Sequence, residues 1–460
     1  MASCTVQGTS ALCGTLSVPE NRLTGRGRTI GINVVVVPAS GADRAPDPIV
    51  WFAGGPGDSA VAAIQSTLNS LVDARVHRDL VFIDQRGTGD SNPLTCPSFP
   101  SADDKAAFTR SVESCLASLP ADIRFYTTAM FVDDVDQVLG ALGYRTANLM
   151  GISYGTTAEQ VMLLRHPKRV RTVTLFSGTP LNAPLFERFP ANVQAALDGV
   201  FARCEADSAC GQAFPDLAGD WQSVWSALSQ APWVLPAASS PTGQAVTLDT
   251  ASLASLTNNL LRNSITAAWL PVMVHTLATV SDHESAIASV ATALLGSGFP
   301  LSTSDQNPMV TYPIMCNEPW ESFRPEALAD QRDSFEYASD LASAQWWQQV
   351  CALIPKSPVA AVGKNTPPSS SVPVLALNGS ADPIEPPSNM ANAERLWPNG
   401  MHVVEPAQGH DINGDAWSAC LTSLTDRFIS AGSVAGLDTS CLADIPARPF
   451  ALDLSALTVS

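Results

Sequence analysis

Residues 151–155 read Gly-Ile-Ser-Tyr-Gly, and this pentapeptide constrains the fold of the chain more than any other stretch. An apolar run over 146–150 predicts a buried strand before it, and helical spacing over 156–165 predicts a helix after it. A Gly-x-Ser-x-Gly turn between a strand and a helix is so tight that glycines must flank the serine, and it lifts the serine hydroxyl above the sheet. The sequence therefore predicts that Ser153 is a nucleophile; the alternative is an ordinary turn serine.

A serine nucleophile needs a general base, which is usually an imidazole that a carboxylate orients. After such a turn the expected chain order is serine, acid, histidine, with the histidine in a loop beyond the last strand of the sheet. Of the six histidines, His410 has this position, directly after a strand-like run over 401–405. The others lie in helical stretches, at helix ends or at the start of that strand, and we expect surface or packing roles for them: His77, His166, His275, His283 and His402.

The acid is expected in the loop after the preceding strand, which the apolar, β-branched run over 372–378 predicts. Asp382 lies in that loop, in a Gly-Ser-Ala-Asp-Pro sequence, and is the predicted acid. Two alternatives to this role exist. Asp382 could be a turn aspartate that only caps its own backbone, or Glu385 could serve as the acid in its place, as a weaker substitute. Asp411 is given no catalytic role, because residues adjacent in sequence seldom reach each other's ring nitrogen.

A glycine-rich turn, Ala-Gly-Gly-Pro-Gly over 53–57, follows a predicted strand over 48–52. Such a turn lets backbone N–H groups approach a bound carbonyl oxygen and stabilise the negative charge that develops on it. In this arrangement one donor comes from the turn and the other from the residue after the nucleophile. We therefore predict that Gly55 and Tyr154 form an oxyanion hole, the alternative for the loop being a plain Gly-Pro turn.

Together with an Asp-Gln-Arg-Gly run over 84–87, these motifs resemble the α/β-hydrolases of the proline iminopeptidase and tripeptidyl aminopeptidase group. The resemblance covers about residues 15–180 and 370–430, and the tail after His410 looks like the extra C-terminal segment of the secreted tripeptidyl aminopeptidase-like branch. Many relatives have a histidine where this chain has Ala53, which affects only a supporting contact because the donor is backbone. We expect Asp84 and Arg86 to brace loops around the site rather than to contact the substrate.

The sequence predicts an α/β-hydrolase fold, a mostly parallel sheet flanked by helices, with an inserted and mainly helical cap domain. Residues 1–181 form the first part of the core. The cap covers 182–360, where the composition changes to Ala-rich, Leu-rich and Trp-containing helical segments with Pro-rich breaks. Residues 361–460 form the second part of the core and the tripeptidyl aminopeptidase-like (TAP-like) C-terminal segment.

Ten cysteines, none of them in Cys-x-x-Cys spacing, predict disulfides rather than zinc or redox sites. Disulfides persist in oxidising compartments, so we expect a secreted or periplasmic protein whose leader is removed; the alternative is ten reduced thiols in a cytosolic enzyme. The sequence does not fix connectivity, but short-range pairing gives Cys4–Cys13, Cys96–Cys115, Cys204–Cys210, Cys316–Cys351 and Cys420–Cys441.

Charge and motif content restrict the partners. The net charge is −18, so nucleic acid and anionic membrane surfaces are not expected to bind. No apolar run reaches the roughly 18 to 20 residues that cross a bilayer. There is no metal-ligand cluster or nucleotide-binding loop, so no cofactor is predicted. The oligomeric state stays open, with a monomer as our expectation.

The cap is expected to carry specificity, and Glu318 lies in its acidic and aromatic run over 315–321. The resemblance to aminopeptidases implies that a carboxylate here holds the protonated amino terminus of a substrate; the alternative is a solvated glutamate. We predict a serine hydrolase that works through an acyl-enzyme, an aminopeptidase releasing N-terminal residues or short peptides. One alternative is a carboxylesterase acting on small or hydrophobic esters with the same triad, and another is a non-catalytic protein on a hydrolase fold.

Overall fold

The structure is a computed structural model that describes residues 1–97, 99, 105–299, 306–319, 323–359, 361–362, 369–411 and 419–458. In these ranges the strands are β1 (Ala2–Val6), β2 (Thr9–Pro19), β3 (Thr29–Val37), β4 (Ile49–Phe52), β5 (Leu80–Ile83), β6 (Ala147–Ile152), β7 (Val170–Phe176), β8 (Trp233–Leu235), β9 (Val246–Leu248), β10 (Val374–Gly379) and β11 (Gly400–Glu405).

The α-helices of the same ranges lie between and after these strands. They are α1 (Ile64–Ser70), α2 (Ala74–His77), α3 (Lys105–Ser118), α4 (Thr128–Ala141), α5 (Tyr154–Arg165), α6 (Phe189–Ala206), α7 (Ser208–Ala213), α8 (Leu217–Gln230), α9 (Thr250–Leu261), α10 (Ser264–Ala267), α11 (Leu270–Thr279), α12 (His283–Gly296), α13 (Pro308–Asn317), α14 (Tyr337–Leu353), α15 (Ala393–Leu396) and α16 (Ala419–Ala431).

One sheet forms the core, and its nine described strands have the order β1-β2-β3-β5-β4-β6-β7-β10-β11. Six neighbouring strands of this sheet run parallel to one another: β5, β4, β6, β7, β10 and β11. Strands β1, β2 and β3 add an antiparallel edge. Every residue of β4, β5 and β10 is buried, as expected for apolar strands covered on both faces. Helices α4 and α5 pack on one face, and α1 and α16 pack on the other. The predicted α/β fold is confirmed.

The chain between β7 and β10 leaves the sheet and forms α6 to α14 together with the hairpin β8–β9. Leu197, Trp221 and Leu260 of this segment are among the side chains of a separate hydrophobic cluster, to which Ala451 and Leu457 of the C-terminal tail also belong. Helices α6 to α14 fall within the region that the sequence assigns to the cap. The limits at 181 and 360 remain predictions, and we use the word cap for residues 182–360 below.

Five disulfides join cysteines that are near each other in sequence, and they are the five predicted pairs. Cys316–Cys351 links α13 to α14 within the cap, and Cys420–Cys441 links α16 to the tail. Among the helices that the structure describes, none is long and apolar enough to cross a membrane.

The Asp-Gln-Arg-Gly run braces the loops beside the sheet. Arg86 is fully buried; its guanidinium donates to both carboxylate oxygens of Asp134 at 2.7 Å and to the carbonyl oxygens of Glu20 and Phe125 at 2.9 Å. Asp84 accepts from Ser59 Oγ at 2.6 Å. A fully hydrogen-bonded buried ion pair fixes geometry, which agrees with the bracing role expected from the sequence.

Candidate active site

The turn between β6 and α5 is strained at Ser153. Its φ is 54° and its ψ is −123°, a region that non-glycine residues rarely occupy and that costs on the order of 1–3 kcal/mol. The turn is also crowded, because a Cβ atom at Gly155 would overlap the carbonyl oxygen of Phe52 in β4. The local geometry is thus that of the strand–turn–helix predicted around Ser153, with the serine held at the carboxyl end of the sheet.

The glycine-rich turn after β4 lies against Ser153. A Cβ atom placed on Gly54 would lie 3.7 Å from the Cβ of Ser153. Gly55 has a φ of 111°, a conformation open to glycine but not to most other residues. Tyr154 is the first residue of α5, where backbone N–H groups have no partner within the helix. Both residues predicted for the oxyanion hole therefore flank the serine, and their role stays a prediction.

Asp382 and His410 lie within hydrogen-bonding distance, and each is 2% exposed. Nδ1 of His410 is 3.0 Å from Oδ2 and 3.1 Å from Oδ1 of Asp382. Oδ1 also accepts the backbone N–H groups of Ile384 and Glu385, both at 2.8 Å. Asp382 therefore caps its own turn and faces the imidazole at once, so the two interpretations weighed for it from the sequence are compatible.

The loops that carry the aspartate and the histidine touch directly at the ends of β10 and β11. The N–H of Ala381 donates to the carbonyl oxygen of Gln408 at 2.9 Å. A Cβ atom at Gly379 would overlap the carbonyl oxygens of both Gln408 and Gly409. Only glycine allows this approach, so Gly379 helps to bring Asp382 and His410 together.

Ser177 links the histidine loop to the strand beside the serine turn. Its Oγ donates to the carbonyl oxygen of His410 at 2.8 Å, and its φ is 45°. The preceding residue, Phe176, accepts the N–H of Ser153 at 3.0 Å. The three predicted triad residues thus converge on neighbouring strand ends, although Ser153 and His410 are not hydrogen-bonded to each other here. Sequence reasoning missed Ser177; its only signal is a serine at the end of a predicted strand, before Gly-Thr-Pro.

Two opposing effects act on the pKa of His410. Burial by itself lowers the pKa, because it disfavours the charged imidazolium. The negative charge of Asp382 and the hydrogen bond to it outweigh burial, so the pKa of His410 lies above its usual value. An imidazole in this setting accepts a proton readily, as a general base must.

A cavity of about 250 Å³ opens onto the serine turn. Ser153, Gly55 and Tyr154 line it, together with two acidic side chains, Glu318 and Glu385. The rest of the wall is largely apolar and includes Leu181, Leu185, Phe186, Ile314, Met315 and Phe323. A mainly apolar pocket with a few convergent polar groups is typical of a small-ligand site.

Glu318 is half-buried in this cavity and sits at the N-terminus of α4. Its Oε1 accepts the backbone N–H of Thr128 at 2.8 Å, and its Oε2 accepts the Thr128 hydroxyl at 2.6 Å. The same hydroxyl shares a hydrogen bond with Tyr154 Oη at 2.8 Å. Burial raises the pKa of Glu318 to about 7, although the bonds from Thr128 lower it. Glu318 is therefore a fixed side chain beside the serine turn, and sequence reasoning gave no sign of Thr128.

Glu385 lies on the same cavity wall and is 6% exposed. Burial raises its pKa to about 7; His410 opposes this rise and Asp382 adds to it. The sequence suggested Glu385 as a substitute acid, but the ring of His410 faces Asp382. We did not predict from the sequence that Glu385 lines the cavity. The one sequence feature that could have indicated it is the position of Glu385 three residues after Asp382.

The remaining titratable residues do not suggest a metal centre. Among the described residues, no group of three or more His, Cys, Asp or Glu side chains is arranged to hold a metal ion. Asp411, next to His410 in sequence, pairs with Arg262 of the cap at 3.2 Å. That ion pair ties the cap to the histidine loop.

Comparisons with known proteins agree with this architecture. A family model of the alpha/beta hydrolase fold matches residues 47–219, and a model described as TAP-like protein matches residues 339–441. A tripeptidyl aminopeptidase from Streptomyces coelicolor is 23% identical over 472 residues, covering 95% of this chain and 84% of that protein. A proline iminopeptidase from Heyndrickxia coagulans is 25% identical over 166 residues, covering 34% of this chain and 45% of that protein.

Solved structures show a more distant likeness. The crystal structure of a proline iminopeptidase from Mycobacterium smegmatis is similar at a TM-score of 0.42 and 14% identity, covering 92% of this chain and 99% of that one. The assignment rests instead on the two family models and on the strand order. We conclude that the chain has the α/β-hydrolase fold, that its C-terminal part matches the TAP-like model, and that it is similar to tripeptidyl aminopeptidase and proline iminopeptidase.

Proposed function

We propose that the protein is a serine aminopeptidase that releases N-terminal residues or short peptides through an acyl-enzyme. The observation that carries the proposal is the buried Asp382–His410 pair, tied through Ser177 to the strand beside the strained Ser153. Strained turns and buried carboxylate–imidazole pairs are costly, and they concentrate at sites where chemistry uses them. The peptidase names of the relatives support the substrate class.

The proposed reaction follows from the position of each group. Ser153 Oγ attacks the scissile carbonyl carbon while His410 Nε2 takes the hydroxyl proton, and Asp382 keeps the Nδ1 proton in place. The N–H groups of Gly55 and Tyr154 stabilise the oxyanion. As the C–N bond breaks, His410 returns the proton to the leaving amine. Water then attacks the acyl-enzyme in the same way, with His410 taking its proton and returning it to Ser153.

Glu318 is the proposed ligand of the substrate's amino terminus. It lies in the same largely apolar cavity as Ser153, where a charge-assisted hydrogen bond gains strength. A bound ammonium group would lower its raised pKa, since an opposite charge favours the carboxylate. Glu385 adds a second acidic group to the cavity wall.

A carboxylesterase remains a second candidate, because the apolar walls of the cavity fit a hydrophobic acyl group. The triad steps would be identical, with an alcohol as the leaving group. For either activity we propose an oxidising compartment, secreted or periplasmic, since five disulfides would not persist in a reducing cytosol.

A panel of chromogenic substrates tests the function. It compares amides with a free amino terminus, the same amides N-acetylated, and short-chain nitrophenyl esters, each with the wild-type protein and with Ser153→Ala. We expect cleavage of the free amides, loss of cleavage on acetylation, and no turnover by Ser153→Ala. Cleavage of esters alone would favour the esterase, and full activity of Ser153→Ala would exclude both enzymes.

A further inference from the structure

A second cavity, of about 300 Å³, lies between α6 of the cap and the loops that carry the aspartate and the histidine. Asn192, Gly199 and Arg203 line it from α6, and Asp382 and Gly409 line it from the core. The loop around Asp382 borders both cavities, because Ile384 and Glu385 line the one that contains Ser153. This second cavity is therefore next to the catalytic loops, and the proposed reaction does not use it.

Arg203 brings an uncompensated positive charge to this cavity. Its Nη1 is buried and has no hydrogen-bond partner, and among the described residues its guanidinium forms no ion pair. The guanidinium lies 4.7 Å above the ring of Phe450, which holds it in place. Burial lowers its pKa. Arg203 as a whole is partly exposed, but a buried guanidinium nitrogen without a partner at a cavity wall is available to donate to an anion that enters the cavity.

Asn192 provides a second orphan donor on the same helix. It is 8% exposed, and its Nδ2 has no hydrogen-bond partner. Asn192 and Arg203 are eleven positions apart in α6, on one face, which separates them by about 16 Å at 1.5 Å per residue. Ala195, Ala196 and Gly199 lie between them on the cavity wall and leave it open. The two donors fit an elongated polar ligand.

The orientation of α6 relates this ligand to the serine. The segment just before α6, from Thr179 to Glu187, lines the cavity of Ser153. Along α6, Asn192 is therefore nearer to the segment that lines the serine cavity, and Arg203 is farther from that segment. An extended chain that leaves the first cavity past Asn192 would cover the distance to Arg203 with about five residues, at ~3.3 Å each.

We propose that the second cavity binds the leaving part of a short peptide substrate, and that Arg203 receives its C-terminal carboxylate. A guanidinium and a carboxylate make charge-assisted, often bidentate hydrogen bonds. Asp382 is the other charged described side chain of the lining, and its carboxylate is engaged by His410. The inference rests on the proposed peptidase function, and it narrows the substrates to oligopeptides with a free C-terminus.

Paired peptides test the inference. Alanine peptides of about six to twelve residues, a range that adds the acyl part to the roughly five residues of estimated reach, are made with a free amino terminus as C-terminal acids and as C-terminal amides. We expect a KM roughly 10-fold lower for the acid at the length that reaches Arg203. Arg203→Met should abolish the difference and Arg203→Lys should keep part of it. Arg332→Met, which changes an exposed arginine of the cap, should keep all of it.

A binding arm separates the inference from the proposed function. The acid and amide peptides are titrated into the Ser153→Ala protein, with and without Arg203→Met, by calorimetry. Selective binding of the acid that depends on Arg203 would support the site even if no peptide were cleaved. Cleavage with equal KM for acid and amide would overturn the site while leaving the peptidase intact. The proposed site would also be overturned if acetate bound at Arg203 but the protein did not prefer peptide acids over peptide amides. It would likewise be overturned if neither peptide bound. Arg203→Gln, which also removes the charge, repeats the test if Arg203→Met does not fold.

Discussion

At the scale of single residues, the protonation of His410 links the chemistry of the site to its stability. The pKa of His410 is raised by Asp382 despite burial, so the folded protein holds the imidazolium more tightly than the unfolded chain does. This interaction stabilises the fold at pH values below the usual histidine pKa and is lost as pH rises through the raised value. In the proposed mechanism catalysis needs the neutral imidazole, so we expect activity to increase over the range in which this stabilisation is lost.

We therefore expect the acid limb of kcat/KM to lie above pH 6.5, the ordinary pKa of histidine. Asp382→Asn should lower kcat by about 10⁴-fold, because the imidazole loses the carboxylate that fixes its tautomer. It should also move the residual acid limb to lower pH. The acid limbs of the wild-type protein and of Asp382→Asn are measured from initial rates across pH. If the acid limb of Asp382→Asn stayed at the wild-type pH, the contact with Asp382 would not be the cause of the raised pKa of His410.

Glu318 should affect binding of the substrate's amino group and little else. Glu318→Gln keeps the shape and, through its amide oxygen, the bond from the Thr128 backbone N–H, but it removes the charge. We expect kcat/KM to fall roughly 10- to 100-fold for amides with a free amino terminus, the size of a lost charge-assisted bond. Rates on nitrophenyl esters should change far less. The control is Glu326→Gln, an exposed cap glutamate; an equal loss on esters would point to a structural role.

At the scale of elements, the ends of β10 and β11 determine whether the proposed acid and the proposed base meet. Gly379 ends β10, and the loop that carries His410 follows β11. The carbonyl groups of Gln408 and Gly409 pass so close to Gly379 that a methyl group does not fit. The contact between Asp382 and His410 therefore depends on a backbone approach several residues away.

Gly379→Ala should separate the two loops. We expect a loss of about 1–3 kcal/mol in the free energy of unfolding, as for other overpacked sites, together with a fall in kcat. Chemical denaturation and steady-state rates measure the two effects. Gly296→Ala at the end of α12 is the matched control, since a Cβ there meets nothing within 4 Å. Unchanged activity in Gly379→Ala would show that the loops tolerate the shift.

The elements that the sequence predicts are those whose signal is local. An apolar run followed by Gly-x-Ser-x-Gly predicts β6, the turn and α5, and similar runs predict β10 before Asp382 and β11 before His410. Contacts that join distant segments have no such signal. Thr128 meets Glu318 across 190 positions, and Ser177 meets His410 across 233. They depend on how the cap and the strand ends pack, which no local pattern encodes.

At the scale of the whole molecule, the cap is held both by its own core and by links to the catalytic loops. Asp411, the residue after His410, forms an ion pair with Arg262 of the cap. The backbone N–H of Asp411 also donates to the carbonyl oxygen of Arg262 at 2.8 Å. Ser264 Oγ donates to Gln408 Oε1 at 3.1 Å. The cap thus bonds to the same loop that positions the proposed base, so its stability and the order of the site are coupled.

Removal of the Cys316–Cys351 disulfide should reveal the coupling between the stability of the cap and the order of the site. This disulfide closes a loop of 35 residues, for which loop entropy gives a stabilisation of about 4 kcal/mol, and it lies two residues before Glu318. Replacing both cysteines with serine should lower the free energy of unfolding by about that amount and raise KM for free-amino substrates. Cys4–Cys13, on the antiparallel edge of the sheet, closes only 9 residues and is the control, with a loss of about 2.5 kcal/mol and no change in KM. Denaturant unfolding and steady-state kinetics measure both variants. If the two variants lost stability equally and kept the same KM, the cap disulfide would not hold Glu318 in place.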